Sequence, residues 1–160
     1  ALLVNGSPRS LSRLPASRGD AAAEIRSYRA GPPDGYLSEP EATARILGGR
    51  LRQGSNTLVG EEVQNDARAI RADVLFLGAH AVSETTISET STEVAAVKRT
   101  LMKSANSCRL LIDSSKFRPR VFMTVCSFDE LDEIITDEGA PQEELERIRS
   151  AGVKLTVVGK

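Results

Sequence analysis

The sequence predicts an α/β fold, an open sheet flanked by helices, on three observations. Short apolar runs stop abruptly on polar groups, as in Leu110-Leu111-Ile112 before Asp113-Ser114-Ser115-Lys116 and Ile134-Ile135 before Thr136-Asp137. Such runs read as strands buried on both faces. Between them lie segments whose apolar residues recur at helical spacing. The two kinds of segment alternate along the chain, the pattern of an α/β domain.

Taken in order, Leu2-Leu3-Val4 reads as a short buried strand that ends at the turn Asn5-Gly6-Ser7-Pro8, with Ser7 placed to cap a helix. Residues 21–28 are Ala-rich and predict a short helix, and Gly31-Pro32-Pro33-Asp34-Gly35 then breaks the chain into a surface loop. Residues 43–47 predict a strand. Gly48-Gly49 after it suits either a hairpin or bulge or a close approach of backbone to ligand.

In residues 61–70, Val63, Ala67 and Ile70 build one apolar helix face. Asp73 sits at the amino end of the strand Val74–Leu77, away from the crevice where α/β sheets bind ligands. Gly78-Ala79-His80 lies at the other end, where His80 suits a ligand contact or a structural histidine. Residues 83–92, rich in hydroxyls and acids, read as a loop in which Thr85 or Thr86 can bond ligand oxygens or simply face water. A helix follows from Thr92 with Val94, Val97, Leu101 and Met102 as its buried stripe. On it, Lys98 is either a surface lysine or a ligand contact. Residues 117–120 leave the Lys116 turn with extra basic groups, and residues 121–125 predict another strand. Pro141 opens the last helix, Gly152 ends it and residues 153–158 make a closing strand.

Composition narrows the function. At 160 residues the chain suits one domain, 1–160, with 40% apolar and 27% charged residues, ordinary for a globular protein. A net charge of −1 argues against this segment gripping DNA by itself, since duplex affinity rests largely on neutralised phosphates. No apolar run reaches the roughly 20 residues of a membrane span, and no signal-peptide pattern opens the chain, so a cytoplasmic protein is expected. Cys108 and Cys126 lie in apolar strand-like runs and read as buried thiols. With His80 the lone histidine, neither a metal site nor a cofactor is expected. The chain opens at Ala1 and not at Met, which suggests a preceding portion.

The span from Ala44 to Asp137 resembles the C-terminal effector domain of DeoR-type bacterial transcription regulators. The resemblance rests on Arg45-Ile46-Leu47-Gly48-Gly49-Arg50-Leu51, Thr57-Leu58-Val59-Gly60 and Ala72-Asp73-Val74-Leu75-Phe76-Leu77-Gly78. Val97-Lys98-Arg99, Asp113-Ser114-Ser115-Lys116-Phe117 and Ile134-Ile135-Thr136-Asp137 continue it in the family's order. Residues 43–160 match best, and 1–42 diverge, with a Gly/Pro-rich loop around 31–40. The resemblance implies an open sheet like that of ribose-5-phosphate isomerase, Rossmann-like and here truncated at its N-terminus. It also implies a sensor of a phosphorylated sugar, homo-oligomeric, reaching DNA only through a helix-turn-helix domain outside this chain. The ligand-binding residues so expected are Asn5, Ser7, Gly48, Gly49, His80, Thr86, Lys98, Asp113 and Lys116. Lys116 stands first, because its compact ammonium suits a phosphate.

The sequence departs from the family at three places. The family's Asp-x-Gly-Thr-Thr phosphate turn is not found in these residues. Glu84-Thr85-Thr86 lacks the glycine usual before the Thr, and Val94 occupies the place of a Glu four residues before the Lys. Two other functions therefore stand beside the sensor: an oligomerisation domain with a degenerate pocket, and a sugar-phosphate isomerase using Asp113 or Asp137 as base.

Overall fold

The structure, a computed structural model, describes residues 2–5, 25–27, 44–52 and 57–159. Its centre is a seven-stranded sheet in the order β12-β11-β9-β6-β1-β2-β3, parallel throughout. The strands are β1 (Leu2–Asn5), β2 (Ile25–Ser27), β3 (Ala44–Ile46), β6 (Ala72–Leu77), β9 (Ala105–Leu111), β11 (Glu133–Asp137) and β12 (Lys154–Val158). A two-stranded antiparallel ribbon pairs β4 (Arg50–Arg52) with β5 (Thr57–Val59). A three-stranded antiparallel sheet joins β7 (Ala81–Ser83), β8 (Thr86–Glu89) and β10 (Met123–Ser127) in the order β10-β8-β7. The helices are α1 (Glu61–Arg68), α2 (Thr92–Lys103) and α3 (Gln142–Ser150).

The strand order fixes where a site belongs. From β6 the chain steps to β9, β11 and β12 in one direction along the sheet, while β1 to β2 to β3 steps in the other. Crossovers between parallel strands are right-handed almost without exception, so the two sets of connections fall on opposite faces. The direction reverses between β1 and β6. At such a switch point the connections part and leave a crevice beyond the carboxyl ends of the strands.

One buried cluster holds the layers together. Leu75, Leu77, Leu110 and Ile134 from the sheet meet Val63 and Ala67 of α1, Val97 and Leu101 of α2 and Ile148 of α3. Val82, Ile87, Val125, Cys126 and Phe128 extend it through the small sheet. Ile70 and Met102, expected on the apolar stripes, pack at its edge half-buried. Each large aliphatic side chain fully buried here contributes about 1.5–3 kcal/mol. Helix α2 begins as its sequence suggests, with Ser91 Oγ accepting from Val94 N at 3.4 Å.

Two expectations need correction. Residues 25–27 form a parallel strand between β1 and β3 where a helix was predicted. Ladder hydrogen bonds on both sides outweigh the modest helical preference of an Ala-rich run. Residues 83–92 are not a loop but mostly the β7–β8 hairpin and the cap of α2. Their hydroxyl-rich composition hides a strand because its buried members include Ser88 and Glu89. Gly31–Gly35 and Ser7 lie outside the described residues. Cys108 and Cys126 are buried free thiols. Burial, with Asp132 nearby, pushes the Cys108 thiol up to about 12 and likewise raises Cys126.

Candidate functional site

At the switch point Asn5 ends β1 in register with Leu77, the last residue of β6. The next residues of the β6 connection, Gly78-Ala79-His80, therefore stand beside the end of β1. One strand further along, β9 runs on through Ile112, whose N–H donates to Ile135 O at 3.1 Å, before the chain turns. Asp113 caps the 3₁₀ turn Ser114–Lys116: its Oδ1 accepts from Ser115 N at 3.0 Å and from Ser115 Oγ. Burial pushes the Asp113 carboxyl up, but the two Ser115 bonds and Lys116 outweigh it, so it is held below the usual carboxylate range.

Asp137, at the end of β11, braces this turn from behind. Its Oδ2 accepts from Ser114 N at 2.9 Å and its Oδ1 from Gly139 N at 2.9 Å. Gly139 sits so close that a Cβ there would lie 2.8 Å from Asp137 Oδ1 and 2.9 Å from Ser114 Oγ. Beside it, the buried Thr136 Oγ1 has no hydrogen-bond partner. The acids of the site thus stiffen backbone. Lys116 is different: it is half-buried at the end of the turn, and no ion pair holds its ammonium among the described residues.

The chain after Lys116 is stitched to the chain after His80. Phe117 bridges to Val82, Arg118 N donates to Val82 O at 3.2 Å, and Arg118 Nε donates to His80 O at 2.8 Å. This seam brings Lys116 and His80 to the same rim. Burial lowers the His80 pKa, and the positive charges of Arg118, Lys116 and Lys98 lower it further against the opposing pull of Glu89. The imidazole is therefore neutral at neutral pH in predominantly cationic surroundings, which suit an anion.

Lys98 is not on the surface. Its side chain is 7% exposed, and Nζ donates to Gly78 O at 2.6 Å and to the buried Glu89. The acid absent at Val94 is thus supplied from β8. Gly48 and Gly49 make their described contacts with the β5–α1 segment. Gly48 N donates to Asp66 Oδ2 at 3.1 Å, and Gly49, at φ +134°, lies where a Cβ would stand 2.2 Å from Val63 Cγ2. Thr86 closes the hairpin turn with Oγ1 donating to Ser83 O at 3.3 Å, beside Glu84 at φ 56°.

Of the residues the sequence singled out, His80, Lys98, Asp113 and Lys116 converge, and the backbone of Asn5 abuts them. Gly48, Gly49 and Thr86 have local partners of their own. Sequence reasoning missed Glu89 and Arg118. The basic cluster after Phe117 was a signal for Arg118; Glu89 had none, because its partner lies on another element. No group of three or more His, Cys, Asp or Glu able to hold a metal occurs among the described residues, nor any helix long and apolar enough to cross a membrane.

Comparison with known proteins matches the same region. The chain is 32% identical over 126 residues to a protein named as transcriptional repressor of the aga operon in Escherichia coli O157:H7, covering 78% of this chain and 47% of that one. It is 31% identical over 118 residues to the HTH-type transcriptional regulator GlpR of Haloferax volcanii, covering 73% and 46%. Against the HTH-type transcriptional repressor GlcR of Bacillus subtilis it is 29% identical over 112 residues, covering 70% and 43%. The chain spans about half the length of the curated relatives it matches. Residues 35–138 match the profile of the DeoR C terminal sensor domain, and the chain belongs to that family of transcriptional regulators.

Proposed function

We propose that residues 1–160 form a single effector-sensing and oligomerisation domain of a DeoR-type regulator. It binds a phosphorylated sugar and thereby modulates DNA binding by a helix-turn-helix domain elsewhere in the protein. The observation that carries this reading is the rim at the switch point, where Lys116, Arg118 and the neutral His80 meet at the ends of β6 and β9. Lys116 holds the phosphate. Asp113, kept ionised by Ser115, accepts from sugar hydroxyls; Asn5, at the end of β1, and Ser7, outside the described residues, complete the proposed ligand set. Lys98 supports it from beneath, and Gly48, Gly49 and Thr86, which have local partners of their own, belong to the site only if ligand reaches beyond the rim. The domain acts in the cytoplasm by binding, without catalysis or cofactor.

A phosphate at a site of this charge stabilises the fold measurably. A phosphorylated sugar at a hundred times its Kd adds about 2.7 kcal/mol, which thermal unfolding detects readily. A shift with one phosphorylated sugar and none with its unphosphorylated parent is expected. Lys116→Ala should weaken that binding at least tenfold, a loss of about 1.4 kcal/mol. Unchanged affinity in the variant would remove Lys116 from the site.

A second reading, an assembly domain with a degenerate pocket, draws on two observations. The Gly48 amide and the Lys98 ammonium, both expected to face ligand, already have partners within the protein. The absence of any shift across a panel of sugar phosphates would favour it.

A further inference from the structure

The Lys98–Glu89 pair is an expensive feature in an unexpected place. Both side chains are almost wholly buried, 7% and 10% exposed. An ion pair taken out of water stabilises little on balance, so its presence calls for another reason. Its position supplies one. Glu89 is the last residue of β8, Lys98 lies in the middle of α2, and the second acceptor of the ammonium is the carbonyl of Gly78. That carbonyl follows directly on Leu77, the residue in register with Asn5, and precedes His80 by two residues. One ammonium thus ties the hairpin, the helix and the floor of the switch-point crevice together.

The source of the acid matters. A carboxylate one helical turn before Lys98 would pair with the lysine inside α2 and leave the hairpin untied. That position holds the buried Val94, and the acid comes from the hairpin instead. The hairpin carries the seam that reaches the ligand rim, since Val82 of β7 accepts from Arg118 N and His80 O from Arg118 Nε. Any shift of β8 relative to α2 is therefore felt at Gly78 and at His80.

We propose that Glu89, acting through Lys98, is a positioning residue that holds the Gly78–His80 rim in its binding geometry, and so sets effector affinity without touching effector. This rests on the reading of the rim as a phosphate site.

The test uses the whole chain, with inorganic phosphate and a panel of sugar phosphates as probes. The imidazole signals of its lone histidine serve as a local reporter by NMR. Glu89→Gln should move the His80 signals and weaken phosphate binding about tenfold. In a His80→Ala background the same change should cost less than threefold, since groups acting as one unit are not additive. Should Glu89→Gln fail to fold, the paired variant Glu89→Leu with Lys98→Met removes both charges together, a replacement that cores often tolerate. It also removes the bond to Gly78 O, and the same losses are expected. A folded Glu89→Gln chain with unchanged affinity overturns the proposal whether or not the His80 signals move, since loss of the Glu89 charge alone shifts them, and so does an equal loss in both backgrounds. If the wild-type chain binds none of the probes, the phosphate reading falls and the affinity role of Glu89 falls with it, whereas wild-type binding that Glu89→Gln leaves unchanged overturns the positioning role alone.

Discussion

Gly49→Ala is the substitution whose cost the structure sets most sharply. A Cβ at this residue would lie 2.2 Å from Val63 Cγ2 and 3.0 Å from Val59 O, with φ at +134°. Two carbons at contact want about 3.5–4.0 Å. The methyl therefore overlaps Val63 by more than 1 Å, and overpacking of that kind costs about 1–3 kcal/mol. The backbone conformation adds about 1–3 kcal/mol for a side chain that φ disfavours. Replacing glycine returns about 0.5–1 kcal/mol by restricting the unfolded chain. The net loss is about 3 kcal/mol, a large share of the 5–15 kcal/mol that typical domains possess. With a urea slope of about 2 kcal/mol per molar, the unfolding midpoint should fall by about 1.5 M. The two causes separate in a second background. Val63→Ala removes Cγ2 but leaves a Cβ at 3.5 Å, ordinary contact. There Gly49→Ala should cost only the backbone share and the Val59 contact, a coupling of about 1–3 kcal/mol. An unchanged midpoint in Gly49→Ala would refute the packing argument. Equal losses in both backgrounds would place the whole cost in the backbone.

Two further outcomes are expected. Glu84 holds φ 56° in the β7–β8 turn, so Glu84→Gly should relieve a left-handed cost of about 1–2 kcal/mol against about 0.5–1 kcal/mol of glycine entropy. The melting temperature should then rise by about 1–2 °C, and a fall would show that the Glu84 side chain matters to the hairpin. The folded His80 titrates below the ordinary histidine value of about 6.5, so between the two values the unfolded chain binds more protons. Its contribution to stability is therefore complete above about pH 6.5 and is lost as pH falls toward the folded value. An NMR titration of this lone imidazole should show that low value, and phosphate should raise it. A value at or above the ordinary one in the free protein would contradict the cationic surroundings.

Legibility in the sequence followed physical rules. Val74–Leu77, Leu110–Ile112 and Ile134–Ile135 were readable because strands of a parallel sheet are buried on both faces and leave unbroken apolar runs. Their polar ends marked Asp113, Lys116 and His80 because the same sheet places all carboxyl ends on one edge. Short strands were readable only where their composition is apolar, as at β3; the Ala-rich run hid β2 and the hydroxyl-rich run hid the β7–β8 hairpin. The partner of Lys98 was lost for a different one. On the helix a partner must lie three or four residues away, but Glu89 lies on another element and reaches Lys98 only through the folded hairpin.

The topology also separates what is fixed from what can vary. His80 and Lys116 arise in different connections, one after β6 and one after β9, and meet only because neighbouring parallel strands end together. The Leu75, Leu110 and Ile134 core that holds those strands in register is fully buried among other apolar side chains. On the proposed reading, selectivity resides in the connections: the Ser114–Lys116 turn, the Arg118 seam and the hairpin that supplies Glu89. Substitutions in the sheet core should change stability with effector preference intact, whereas those in the three connections should change preference with modest loss of stability. Glu89 belongs to the last of these connections: through Lys98 it ties the hairpin to the carbonyl of Gly78.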